Sequence, residues 1–240
     1  MTCLHVGMIT QYHAIMTTCG HDYTYEVLMK TIAILSRKGG AGKTTLAVHL
    51  SVAAEQAGHT TALIDLDPQE SAMMWKDNRE LDTPSVISAH ATRLPKLLET
   101  AEQNGATLTI LDTAPYAESV ALAAAREATI VLIPCRPAAL DLRSIRSTID
   151  IVRLAAVPAV VVLNAVPSHG DLAAQAQQAI ATYDIPCAPH SLGHRIAFAH
   201  AITDGLTVQE YEPRGKASNE VCALYNYLAN EMEGLHAGKK

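Results

Sequence analysis

No stretch of this 240-residue chain approaches the roughly 20 consecutive apolar residues that a membrane-spanning helix needs. Its longest apolar runs are strand-length and are broken by Pro, Gly or charge. Cysteine is sparse as well, with five residues, at positions 3, 19, 135, 187 and 222, and no C-x-x-C pair. An odd number without that spacing argues against a disulfide or zinc framework, and Cys135 and Cys187, on or beside apolar runs, read as buried free thiols. Basic charge is also short: 18 Lys and Arg against 24 Asp and Glu leave a net charge of −6. That balance excludes an overall basic nucleic-acid binder and leaves room only for local patches. What remains, 49% hydrophobic and 18% charged, is the composition of a soluble globular protein whose length suits one domain.

Residues 1–28 differ from the rest. They lack helical or strand periodicity, and they have neither the basic start nor the continuous apolar core of a secretory signal. They read as a disordered leader or a mis-assigned start, which leaves 29–240 as the domain. Cys3, His5, Cys19 and His21 fit no zinc spacing, and the segment is too short for a helix-turn-helix module.

From Met29 onward strand-like and helix-like segments alternate. Apolar runs at 31–36, 61–64, 108–111, 128–133 and 157–163 lack the polar alternation of a half-exposed sheet, as strands covered on both faces do. After the first run, Leu46, Leu50, Ala53, Ala54 and Ala57 recur at helical spacing, and Gly58 stands where a left-handed cap belongs. Further helical patterns occupy about 92–104, 118–127, 140–155 and 171–183. The series predicts an α/β, doubly wound, mostly parallel sheet with helices on both faces and ligands at the carboxyl ends of its strands.

Between the first strand and the first helix lies Lys38-Gly39-Gly40-Ala41-Gly42-Lys43-Thr44-Thr45. Glycines there let the backbone curl with its N–H groups inward around phosphates, Lys43 can meet the β/γ-phosphates, and Thr44 can place its hydroxyl on Mg²⁺. The ordinary phosphate-loop template would have glycine at position 37, where this chain has Arg37, and a second lysine, Lys38, follows. Mg²⁺ prefers a hard oxygen shell that keeps several waters, so Asp112, at the end of another strand, is the carboxylate to hold those waters beside Thr44. Asp65 and Asp67 end a third strand. Taken alone, that pair could equally be a capped turn.

The altered loop resembles the deviant Walker A motif of the ParA/MinD family of dimeric ATPases. Asp65-Leu66-Asp67-Pro68-Gln69 is similar to the family's first switch, and Asp112-Thr113-Ala114-Pro115 to its Walker B and second switch. The likeness covers roughly residues 29 to 232, and the spacing of Gln69, Ser71-Ala72 and Trp75 is most similar to the small, ParF-type plasmid-partition proteins. It implies a P-loop NTPase fold, ATP and Mg²⁺ as cofactors, and a weak ATPase whose Lys38 reaches the phosphates of a partner subunit. It assigns Asp67 to orienting or deprotonating the attacking water, Asp65 to support, and Asn164, which ends another strand, to the adenine base. A plain strand-ending asparagine is the alternative for that last position. Glu70 and Tyr116 stand where relatives often have glycine, and Ala165 where they often have arginine or lysine.

The same resemblance implies a homodimer formed with ATP, non-specific binding to DNA, a DNA-bound, ParB-like centromere-binding partner, and a cytoplasmic, nucleoid-associated protein that segregates plasmid DNA. Two basic patches suit DNA: Arg143, Arg146 and Arg153 at helical spacing, and Arg214 with Lys216. A solvated helix face, or ion pairs with Asp150 or Glu220, would explain them as well. Two other functions stand beside partition. One is a MinD-like or ParA-like positioning switch for a protein assembly, and the other is a DNA-transfer scaffold with little turnover. A membrane-bound form would need a basic amphipathic terminal helix, whereas Asn219 to Leu235 carries Glu220, Glu231 and Glu233 and only Lys239 and Lys240 follow.

Overall fold

The computed structural model describes residues 28–237. The readings made of the leader and of Lys239 and Lys240 lie outside that span. Six strands, β1 (Lys30–Ile34), β2 (Thr61–Asp65), β3 (Ser85–Ser88), β4 (Leu108–Asp112), β5 (Ile130–Cys135) and β6 (Ala159–Leu163), form one sheet in the order β3-β2-β4-β1-β5-β6. Every neighbouring pair runs parallel. The chain builds one edge of the sheet first. After β4 it crosses back over β1 to build the other, so the topological switch falls at β1.

Register does the rest of the positioning. Asp112 is paired with Ile34 on one side and with Asp65 on the other, so β1, β2 and β4 end level with one another. Backbone bonds extend the alignment past the strands: Leu66 N–H donates to the Asp112 carbonyl at 2.8 Å, and the Thr113 hydroxyl donates to the Ile34 carbonyl at 2.9 Å. The three loops that follow are therefore held at one rim.

Nine helices cover the sheet among the described residues: α1 (Lys43–Gln56), α2 (Ser71–Asp77), α3 (Leu94–Gln103), α4 (Glu118–Glu127), α5 (Ala139–Ala155), α6 (Leu172–Ala181), α7 (Ile196–Thr203), α8 (Val208–Tyr211) and α9 (Lys216–Ala237). Alternate strand residues point to opposite faces, and this divides the apolar interior in two. Ile32, Ile34, Leu63, Ile110 and Leu132 pack with α1, α2 and α7 to α9. Ala33, Ile64, Leu111, Val131 and Ile133 pack with α3 to α6. Lacking an exposed face, β2, β4 and β5 are buried along their whole length, which is why they read as unbroken apolar runs. α1 is apolar nearly all round because β-strands, α2, α8 and α9 enclose it, and Gly58 caps its end at φ +94°, as expected.

The predicted strands and helices are all present, with ends shifted by a few residues: β5 and β6 start two residues later than the apolar runs that announce them. β3, α2, α7 and α8 were not predicted. Cys135 is a buried free thiol, as expected, and burial first of all pushes its pKa up to about 12, whereas Cys187, also a free thiol, is only half-buried. No described helix is long and apolar enough to cross a membrane.

Candidate nucleotide-binding site

Gly40 and Gly42 of the glycine-rich loop take φ of +73° and +92°, the left-handed region that side chains disfavour. Gly42 is doubly constrained, because a Cβ there would lie 2.1 Å from Nδ2 of Asn164. The loop so curled delivers Gly42 directly onto the N-terminus of α1, whose first backbone N–H groups have no acceptor within the helix. Such an end attracts anions. No acidic residue lies in that first turn to compete with a phosphate.

Lys43 opens the helix and is buried, 7% exposed. Burial lowers its pKa, and the carboxylates of Asp112 and Asp67 work in the other direction. The Thr44 hydroxyl donates to Oδ2 of Asp112 at 2.6 Å. Asp112 is fully buried, and its Oδ1 has no hydrogen-bond partner among the described residues. Burial, with Asp65 and Asp67 adding to it, pushes the Asp112 pKa up to about 7 against the bond from Thr44 and the charge of Lys43. A hydroxyl and a buried carboxylate with a spare oxygen are the hard donor set that Mg²⁺ selects. Thr44 and Asp112 could hold the ion there directly or through its waters.

Asp65 is fully buried, and burial raises its pKa. Its Oδ1 accepts from the Asp67 N–H at 3.0 Å and its Oδ2 from the Ala72 N–H at 2.9 Å, so it ties the strand end to the start of α2. This is the supporting place expected for it. Asp67 is half-buried and faces the same cleft, near enough to act on the charges of both Lys43 and Asp112. The capped-turn reading is also met, since Asp67 Oδ1 accepts from the Gln69 N–H at 3.0 Å.

Lys38 and Asn164 both have bonded partners within the chain. The Lys38 ammonium is bonded to Oδ2 of Asp141 in the first turn of α5, within the same chain. Asn164 turns its amide to the loop rather than leaving it free: Nδ2 donates to the Ala41 carbonyl at 2.8 Å, while Oδ1 accepts from the Ala165 N–H at 2.8 Å. Gly39, Gly40 and Thr45 complete the loop. The Thr45 carbonyl contacts Nδ1 of the buried His49 at 2.7 Å. Asp141 and His49 carried no sequence signal of their own beyond a place near a helix start and on an apolar helix. Glu70 and Tyr116, at the positions where relatives often have glycine, both adopt positive φ, +52° and +60°.

The basic patches do not merge. Arg143, Arg146 and Arg153 are exposed on α5, which covers one face of the sheet, and Arg153 donates to the Tyr183 carbonyl at 2.7 Å. Arg214 and Lys216 are exposed at the start of α9 on the other face. Glu220, one candidate ion-pair partner for them, is bound to Arg195 instead.

A family model for the CobQ/CobB/MinD/ParA nucleotide binding domain matches residues 32–208, a span that holds the loop, both switch segments and Asn164. The chain belongs to that family. It is 34% identical over 211 residues to the "Maintenance of carboxysome distribution protein A" of Gloeobacter kilaueensis, covering 85% of this chain and 94% of that one. The protein of the same name from Halothiobacillus neapolitanus is 28% identical, over 84% of this chain and 95% of its own. Among solved structures, the septum site-determining protein MinD of Pyrococcus horikoshii, complexed with Mg-ADP, aligns with a TM-score of 0.67 at 16% identity, over 84% of this chain and 96% of that one. The fold is that of a ParA/MinD-type P-loop NTPase, the enzyme is an ATPase, and its cofactors are ATP and Mg²⁺. Members of the family dimerise with ATP and act with other proteins.

Proposed function

We propose that this protein is a DNA-partition ATPase: ATP closes two copies into a sandwich dimer, the dimer coats nucleoid DNA without sequence preference, and a DNA-bound partner triggers the hydrolysis that releases it. The observation that carries this reading is the Lys38–Asp141 pair. It holds the extra lysine of the loop at the cleft, partly exposed, where a second subunit could take it over. Within the site, Lys43 binds the β- and γ-phosphates while the loop N–H groups and the end of α1 orient them. Thr44 and Asp112 would hold Mg²⁺, which would supply positive charge to neutralise the phosphate oxygens. Asp67 aligns the attacking water, and Lys38 from the partner stabilises charge on the transferring phosphoryl group, as an arginine finger supplied in trans does. Arg143 and Arg146 on one face, with Arg214 and Lys216 on the other, supply the phosphate contacts to DNA.

The test uses Asp67→Ala, which is expected to bind ATP, dimerise and stay dimeric because water is no longer oriented. DNA binding by this variant should be strong with ATP, weak with ADP, and fall steeply between two salt concentrations. Equal, negligible binding in all four conditions removes the nucleoid-coating mechanism.

A second reading, positioning of a protein assembly rather than a plasmid, is favoured by the two carboxysome-distribution relatives, each matched over nearly its whole length. Deleting the gene separates the two. Raised plasmid loss supports DNA as cargo, and normal plasmid maintenance with a clustered assembly supports the second reading.

A further inference from the structure

Arg136 lies just beyond β5, between Pro134-Cys135 and Pro137. Its backbone is fixed from several directions. Pro137 is buried and confines the residue before it to an extended conformation. The Arg136 carbonyl accepts from the Ala138 N–H at 2.8 Å and from the Cys135 thiol at 3.3 Å, and Cys135 is tied through its own carbonyl to the Asn164 N–H at 2.8 Å. The side chain thereby springs from a rigid post beside the loop.

That side chain ends over the phosphate loop. Its Nη2 is 3.7 Å from where a Cβ of Gly40 would stand, and apart from Gly40 and its two chain neighbours it is the only group within 4 Å of that point among the described residues. Gly40 is exposed and in the left-handed region, so this stretch of loop presents bare backbone to the cleft. Unlike Lys38, whose charge Asp141 satisfies, Arg136 is exposed and takes part in none of the ion pairs among the described residues. An unpaired guanidinium, with its planar fork of donors, at the outer rim of a phosphate cradle is suited to a phosphate oxygen.

Resting on the nucleotide-site reading above, we infer that Arg136 contacts the terminal phosphate of the ATP bound in its own subunit, and so makes the site prefer ATP to ADP. Lys43 enters the cradle from inside, at the start of α1. Arg136 closes it from outside, over Gly40. ADP lacks the group that Arg136 would meet.

The experiment measures the affinities of the β,γ-imido analogue of ATP and of ADP, each with Mg²⁺, at protein concentrations shown by sedimentation to be monomeric. Arg136→Ala should weaken the analogue by about 10- to 100-fold, the range of one charge-assisted hydrogen bond, and leave ADP within about twofold. Arg136→Lys should recover part of the loss, since it keeps the charge without the fork. An unchanged ratio of the two affinities overturns the inference, as does an equal loss for both nucleotides, which would move the contact to the inner phosphates. A loss seen only at concentrations where the dimer forms overturns it too, by moving the contact to the other subunit's nucleotide. If Lys43→Ala still binds both nucleotides normally, it is the underlying site reading that fails instead.

Discussion

Lys43 is a buried cation whose nearest compensating charges, Asp112 and Asp67, are themselves crowded together. What the ammonium lacks is a direct bonded partner among the described residues, and a phosphate oxygen would supply one. Lys43→Ala is therefore expected to lower ATP affinity by about 100-fold, with the fold intact, as equilibrium dialysis and a thermal melt would show together. Lys38→Ala should behave differently. Monomer affinity for ATP stays near that of the wild type, while sedimentation shows no ATP-dependent dimer. Both lysines, Thr44 and Asp112 were legible in the sequence because the motif fixes their spacing within a few residues of one strand or helix. The partner of Lys38 was not: Asp141 is 103 positions away, and only the placement of α5 beside the loop brings it close. The meaning of Glu70 and Tyr116 was half legible, since a departure from glycine was visible and the positive φ behind the family's glycine was not.

At the scale of elements, the strands buried on both faces and the long helices announced themselves by continuous apolar runs and by spacing. β3 did not, because it is a four-residue edge strand, half of it exposed, and α8 is a single helical turn. α2 is seven residues long, and its position depends on contacts made elsewhere. The side chain of Arg79, just after it, is buried, 2% exposed, and forms a two-fold bond to Glu210 at 2.9 and 2.6 Å while also donating to the carbonyls of Gly205 and Thr83. Its guanidinium lies over the Trp75 ring, 4.9 Å from the centroid. Glu210 in turn caps α8 by accepting from the Thr207 N–H and hydroxyl. Removing one partner of such a buried pair leaves the other uncompensated, so Arg79→Ala should cost about 3–5 kcal/mol in a urea melt. Burial raises the Glu210 pKa, but the bonds from Arg79 and Thr207 outweigh it, and the net shift is downward. A carboxylate with a depressed folded pKa stabilises above its unfolded pKa, and that contribution is lost as pH falls through the folded one. The gap between wild type and Arg79→Ala should accordingly narrow under acid.

For the molecule as a whole, folding buries His49 of α1 completely, with its ring against Phe198 of α7, and burial, opposed by the bond to Thr45 and the charge of Glu210, lowers its pKa to about 4. The unfolded chain then binds a proton that the folded one refuses between about pH 4 and the ordinary histidine range near 6.5. Stability contributed by this neutral imidazole is complete above that range and is lost on acidification, by up to about 3 kcal/mol. Chemical denaturation at pH 7 and pH 4.5 should show a smaller acid loss for His49→Gln than for the wild type; equal losses would mean that the burial is not maintained.

The Arg79–Glu210 clamp reaches further. Gln209, the residue before Glu210, donates to the His49 carbonyl at 2.8 Å, so α2, α8 and α1 form one mechanical body, with the basic loop at Arg214 following directly after it. Asp65 pins the other end of the first switch to the sheet through Asp67 and Ala72. Leu66 is held as well, by the Asp112 carbonyl, so the segment from Leu66 to Glu70 is anchored at its start, at Asp67 and just beyond its end at Ala72. If Asp67 aligns the attacking water as proposed, it does so from a short segment bonded at both ends and not from the end of a swinging helix.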